Sequence, residues 1–357
     1  MAALRLRDRD SIITIEGLIF RVFGYSHPSN AYVCDAEYAP ERLFASNNHK
    51  AFRNEGKHVF YKFYEDEGWK FVKNNFSRYM IFHEMLDKNV VGVKHHDIVK
   101  ARRPDAKLKN LVRWKARDEL LSALQNVLEF TTKHSGLSTA SFGVFGSVLH
   151  GFYHPKFSDI DLIIYGRDNA AKLNKTLKEF YLDEYSPFRN EFENEGAIEG
   201  KQWRFQNYGS KEFVWHQRRK MIYALFNDAK SGRLIKTEFE PVKDWKEIVN
   251  DYSSETRIRQ KGWVRLLARV TEDRDAPFIP SVYDIQSIKI LRGAKCAEEA
   301  TRIVSYMEEF RLQAQKDERI YVEGNLEEVI TSKGNFHQIA LTYCPRYYEQ
   351  VLKVASV

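Results

Sequence analysis

Cysteine is scarce in this chain. Cys34, Cys296 and Cys344 are the only three in 357 residues, widely scattered, with no Cys-x-x-Cys spacing. That excludes a disulfide framework and a thiolate zinc site, and it suits a reducing compartment, the cytoplasm. Long apolar runs are missing as well, so no stretch reads as a membrane span. The segment up to Asp8 holds no apolar block of signal-peptide length. Internal repeats and low-complexity tracts are also absent, and 43% hydrophobic residues with 14% aromatics argue a fully folded protein. The length allows two or three domains with real cores, and a net charge of +7 favours a polyanionic partner.

Chemistry is concentrated in one short segment. Phe142-Gly143-Val144-Phe145-Gly146-Ser147 reads as an apolar strand ending in a Gly-Ser turn, followed by a short helix through His150. After a loop containing His154-Pro155 comes Ser158-Asp159-Ile160-Asp161, running into the apolar stretch Leu162 to Tyr165. On a strand Asp159 and Asp161 project to the same face, where two carboxylates repel unless a cation lies between them. Oxygen-only ligation of that kind suits Mg²⁺ or Mn²⁺. Gly146 lets the main chain approach a phosphate closely, and the amides opening the helix can hold it. The continuous apolar run predicts a buried central strand rather than a soluble sheet edge.

Together these residues resemble the polymerase-β-like nucleotidyltransferase superfamily, which carries a Gly-Ser motif and an Asp-x-Asp motif at about this separation. The front of the chain, with Asp8-Arg9-Asp10, Thr14 to Phe20 and Gly24-Tyr25-Ser26-His27-Pro28, further resembles archaeal predicted nucleotidyltransferases. The resemblance implies an α+β fold: a mixed-sheet core with helices on one side, flanked by an N-terminal α+β domain and a β-rich tail. It also implies a third carboxylate from a later strand. Arg233 to Val242 is the candidate, with Glu238 three residues before Pro241 and Glu240 as the reserve, where the superfamily usually has aspartate. Asp159 and Asp161 would bridge two divalent ions, with Glu238 on the ion that activates the attacking hydroxyl. Gly146 and Ser147 would fix the nucleotide's phosphates. The implied reaction moves a nucleoside monophosphate from a nucleoside triphosphate to a nucleic-acid 3′ hydroxyl, RNA favoured over DNA, without a membrane partner. Nucleotidylation of a protein or small molecule, and a silent nucleic-acid-binding protein, are the alternatives.

The rest of the chain divides into residues 1–109, 110–271 and 272–357. In the first, Ser11 to Ile15 and Leu18 to Phe23 flank a turn at Glu16-Gly17, Ala31 to Tyr38 and His58 to Phe63 read as strands, and Asn74 to Leu86 has helical spacing. In the second, Leu111 to His134 predicts one amphipathic helix stopped at Gly136, Asp168 caps the next, and Lys211 to Ala229 predicts another. That last helix carries Arg218, Arg219 and Lys220; Arg219 is taken as a phosphate ligand. In the third, Val282 to Leu291, Ile303 to Phe310, Glu318 to Val329 and Phe336 to Leu341 read as strands of a small barrel. An OB-like barrel would suit single-stranded nucleic acid, whereas a stabilising β-cap is the plainer reading. No run of exposed aromatics with basic residues between them shows in the sequence of those strands.

Overall fold

The first hundred residues form a sheet because their apolar residues recur mostly at every second position. In the computed structural model, which describes residues 4–200, 202–343 and 346–355, that sheet has eight strands. They are β1 (Ser11–Ile13), β2 (Ile19–Val22), β3 (Ala31–Pro40), β4 (Phe52–Glu55), β5 (His58–Lys62), β6 (Met80–His83), β7 (Lys88–Lys94) and β8 (Lys100–Arg102). Their order is β4-β5-β3-β2-β1-β8, with β7 joining β3 to β6. Ile12, Phe20, Val22 and Val93 are fully buried and hold it together with Val72 of α1 (Glu67–Asn75). The helix expected from Asn74 to Leu86 is replaced there by the end of α1 and the β6–β7 hairpin. Asp87, at φ 49, turns that hairpin, and short-range alternation outweighs the helical spacing. Cys344 lies outside the described residues, while Cys34 is a buried thiol.

The motif region follows α2 (Pro104–Val112) and α3 (Glu119–Ser135). One helix was expected from Leu111 to His134, but α2 ends at Val112. Asp118 instead starts a new one, accepting the Leu121 amide at 3.0 Å as an N-cap, and Gly136 closes it at φ 65. Next come β9 (Phe142–Val144), α4 (Gly146–His150), β10 (Ile160–Tyr165) and α5 (Arg167–Leu182), with Asp168 in the first turn of α5. After β11 (Phe188–Asn190), α6 (Ser210–Arg219) ends well before Ala229. Met221 takes φ 51, and buried Ile222, Ala224 and Phe226 alternate along β12 (Tyr223–Asp228). β13 (Arg233–Val242) then pairs in parallel with β10, and β9 pairs antiparallel on its other side. The sheet order β11-β12-β13-β10-β9 gives β10 a strand on either side, with Ile160 and Leu162 to Tyr165 all buried.

Contacts divide the chain into two units. The first comprises Met1–His83, Asp87–Thr176 and Phe226–Ser253; the second comprises Glu84–Leu86, Leu177–Leu225 and Ser254–Val357. The second is built around β14 (Arg257–Asp275), β15 (Ser281–Arg292), β16 (Ala300–Ser305), β17 (Arg319–Thr331), β18 (Gly334–Leu341) and β19 (Val351–Val354). Strands run β14-β15-β16-β18-β17, and β17 pairs back onto β14, which closes a five-stranded barrel with β19 added beside β17. β16 and β18 are parallel neighbours, the other pairs antiparallel. Val264, Leu266, Tyr283, Ile303, Val322 and Ile339 fill its interior. No helix among the described residues is long and apolar enough to cross a membrane.

Candidate active site

The Gly-Ser turn and the Asp-x-Asp strand meet in space, and glycine is what lets them. Val144 of β9 lies opposite Leu162 of β10, and the Phe145 amide donates to the Asp161 carbonyl at 2.9 Å. The next residue, Gly146, adopts φ 57, and a Cβ placed there would collide with Oδ2 of Asp161 and lie 3.1 Å from its Cγ. A side chain at 146 is excluded twice, by backbone conformation and by the carboxylate. Gly146→Ala should therefore cost about 1–2 kcal/mol of stability from the left-handed backbone alone and displace the Asp161 carboxylate. A denaturant melt and the transfer assay described below check both effects.

Asp161 is half-buried and Asp159 exposed, so the pair runs from the sheet toward solvent. Burial, then the neighbouring charges of Glu240 and Asp159, push the Asp161 carboxyl up to about 7. The positive charges of Lys62 and Lys236 pull the other way without prevailing. A cation placed among crowded, partly desolvated carboxylates would favour their charged form.

The two glutamates of β13 differ sharply. Glu238 is the register partner of Asp161 and half-buried; Glu240 pairs with Ile163 and is 5% exposed. Glu240 is also ion-paired with Arg9, itself fully buried, whose guanidinium lies 3.9 Å from Asp8. Asp8 accepts the Gly24 amide at 2.9 Å, which fixes this corner. Among the described residues no three His, Cys, Asp or Glu side chains converge closely enough to form a ready-made metal cage. The donor set still fits a hard cation, because it is all carboxylate, and Asp161 is pushed toward its neutral form by burial and then by its carboxylate neighbours.

His150 closes α4 at 1% exposure. Its ring stacks on Phe152 at 5.3 Å and meets Tyr38 edge-on at 5.2 Å, Arg102 donates to its carbonyl at 2.9 Å, and burial lowers its pKa to about 3. It is a neutral packing residue rather than a phosphate ligand. His154 takes part in a turn, accepting the Lys156 amide at 3.1 Å. Arg219 belongs to the second unit, where it is ion-paired with Glu318 and lies 4.4 Å over the ring of Trp215. Arg9 and Lys62 escaped the sequence reading because no local motif announces them. Lys236 was legible, standing two residues before Glu238 on an alternating strand.

With that geometry in view, residues 124–230 match a family model described as the nucleotidyltransferase domain. The chain carries a nucleotidyltransferase domain. Such a domain makes the protein a transferase and implies a nucleoside triphosphate substrate. The matched segment includes Gly146, Ser147, Asp159, Asp161 and Arg219, but stops short of both candidate third acids. Over its whole length the chain is similar to an uncharacterized protein of Methanocaldococcus jannaschii, 25% identical across 98% of this chain and 99% of that one. No solved structure matches.

Proposed function

We propose that the protein is a metal-dependent nucleotidyltransferase that moves a nucleoside monophosphate from a nucleoside triphosphate to a nucleic-acid 3′ hydroxyl, with RNA the favoured acceptor. The observation that carries this reading is the seating of the Asp161 carboxylate directly against Gly146, which joins a phosphate-approach turn to an acidic strand. In the reaction the 3′ oxygen bonds to the α-phosphorus, the bond from that phosphorus to the bridging oxygen breaks, and pyrophosphate leaves. The hydroxyl proton passes to solvent or a nearby carboxylate. A divalent ion held by Asp159 and Asp161, with Glu238 as third ligand, would supply Lewis-acid polarisation and charge neutralisation.

The chain's own groups do the positioning. Backbone at Gly146 and the Ser147 hydroxyl hold the β- and γ-phosphates, while Lys62 and Lys236 offset the negative charge gathered at Asp161. Glu240, held by Arg9, keeps β13 in place behind Glu238. Arg219, expected as a phosphate ligand, belongs to the second unit, where it is ion-paired with Glu318, and takes no part in this reading. The expected boundary at residues 271 and 272 falls inside β14, so the OB-like barrel begins by Arg257; residues 1–109 precede the core that starts at 110, and the reading places the protein in the cytoplasm.

The test is incorporation of each labelled NTP and dNTP into total RNA and single-stranded DNA, with Mg²⁺ or Mn²⁺. Label that requires Asp159 and Asp161 supports the reading, and the preferred acceptor fixes the substrate class. Label entering protein transfers the proposal to a protein-modifying enzyme. Binding to nucleic acid without transfer, unchanged by Asp159→Ala/Asp161→Ala, would leave a binding protein instead.

A further inference from the structure

The chain's positive charge is unevenly placed. Residues 256–271 contain five Arg and Lys and no acidic residue, and residues 285–297 contain three more and again none. Those eight cations exceed the net +7 of the whole protein, so the remainder is close to neutral. The two stretches lie mostly on β14 and β15, which are antiparallel neighbours in the barrel, and the structure brings their charges side by side. Arg265 is the register partner of Arg292, and Leu267 that of Lys289.

Aromatic and apolar groups sit within the same patch. Trp263 stands two residues from Arg265 on β14, with the Arg346 guanidinium 3.7 Å over its ring. Its indole N–H and the Nε of Arg265 both donate to Glu323 at 2.7 Å, so these two side chains are fixed by one fully buried carboxylate. A Cβ on Gly293, just past β15, would lie 2.9 Å from the Trp263 carbonyl, which places the end of β15 against this residue. Ile288 and Leu291, on β15, are 51% and 46% exposed. Apolar side chains left in water among closely spaced like charges cost stability unless an anion with apolar faces covers them.

We infer that the outer face of β14 and β15 binds single-stranded nucleic acid: Arg265, Lys289 and Arg292 meet phosphates, and Trp263, Ile288 and Leu291 meet unstacked bases. A single strand fits better than a duplex because only unpaired bases offer their faces to such side chains. A protein partner would have to supply an acidic surface, and a second copy of this chain would bring the same positive patch. The inference rests on the transfer reading only for naming the bound strand an acceptor; binding stands without catalysis.

The experiment is fluorescence anisotropy of the full chain with labelled 12-nucleotide single strands of RNA and DNA, and with a hairpin duplex of equal length. Single strands should bind, with log affinity falling against log salt at a slope of about −2, as displacement of counterions from three phosphates gives. Lys289→Glu/Arg292→Glu should weaken binding about 10- to 100-fold while the melting temperature stays put, since both side chains are exposed. Leu291→Ala should weaken single-strand binding and leave the salt slope alone. Asp159→Asn/Asp161→Asn should bind like the parent, so a failed transfer reading and a failed binding surface give different results. Undiminished binding by the charge-reversed variant, a preference for the duplex, or self-association that the same reversal abolishes would each overturn the proposal.

Discussion

Asp161→Asn should abolish nucleotide transfer and, in the metal-free protein, raise the melting temperature above pH 7. The loss of transfer is expected to be about a thousandfold, the several kcal/mol that charge stabilisation at a phosphoryl centre contributes. The gain in stability follows from the carboxyl being pushed to about 7 by burial and by Glu240 and Asp159. An unfolded aspartate titrates near about 4, so between those values the folded state holds the proton more tightly. Stability therefore falls as pH rises from about 4 to 7, and the whole penalty is present above 7. Asparagine has no such charge. The difference in melting temperature between variant and parent should be small near pH 4, grow to pH 7 and then level off. Mg²⁺ at pH 8 should raise the melting temperature of the parent and not of the variant, because only the parent gains from a cation bound to the folded state. A variant less stable than the parent at pH 8, or one that still transfers nucleotide, would remove Asp161 from the site.

The trade between activity and stability at Asp161 was legible in the sequence only as a motif. Two alternating aspartates before an apolar run announce a buried strand carrying acid at its start, and β10 is that strand. The Gly-Ser turn was readable for the same reason: apolar strand, glycine and helix follow one another within a few residues. What the sequence did not carry was anything built across distance. Arg9 meets Glu240 from 231 residues away, and Lys62 acts on Asp161 from β5, a strand legible in the sequence while its place beside Asp161 was not. Helix ends were misread where local alternation was short. Ile222, Ala224 and Phe226 are only three points of period two, too few to outweigh the helical spacing of the residues before them. The barrel's charge was visible as composition, but the surface formed by Trp263, Arg265 and Arg292 exists only through strand register and the remote Arg346.

Arg9→Ala should destabilise the protein by about 3–5 kcal/mol, because it leaves the Glu240 carboxylate buried without its main counter-charge. Arg9 is fully buried at φ 71, an unusual backbone state for a residue with a side chain, and its amide donates to Val22 at 3.1 Å. Its position is thus set by the strand as well as by Glu240. Arg9→Met/Glu240→Gln should recover most of the loss, since neither side chain then carries an unpaired charge. A chemical-denaturation cycle over the two sites should give a coupling of about 1–3 kcal/mol. The same variants assign the third acid. If Glu240 holds the sheet and Glu238 the substrate side, Glu240→Gln lowers stability more than kcat, and Glu238→Gln lowers kcat at unchanged stability. Glu238 stands opposite Asp161 and is half exposed, whereas Glu240 already answers to Arg9. A carboxylate whose negative charge is taken up by a buried arginine has less to offer a cation, so in the proposed reaction the ligand role falls to Glu238. The reverse pattern of kcat and stability would hand that role to Glu240, and would make Arg9 the residue that orients it.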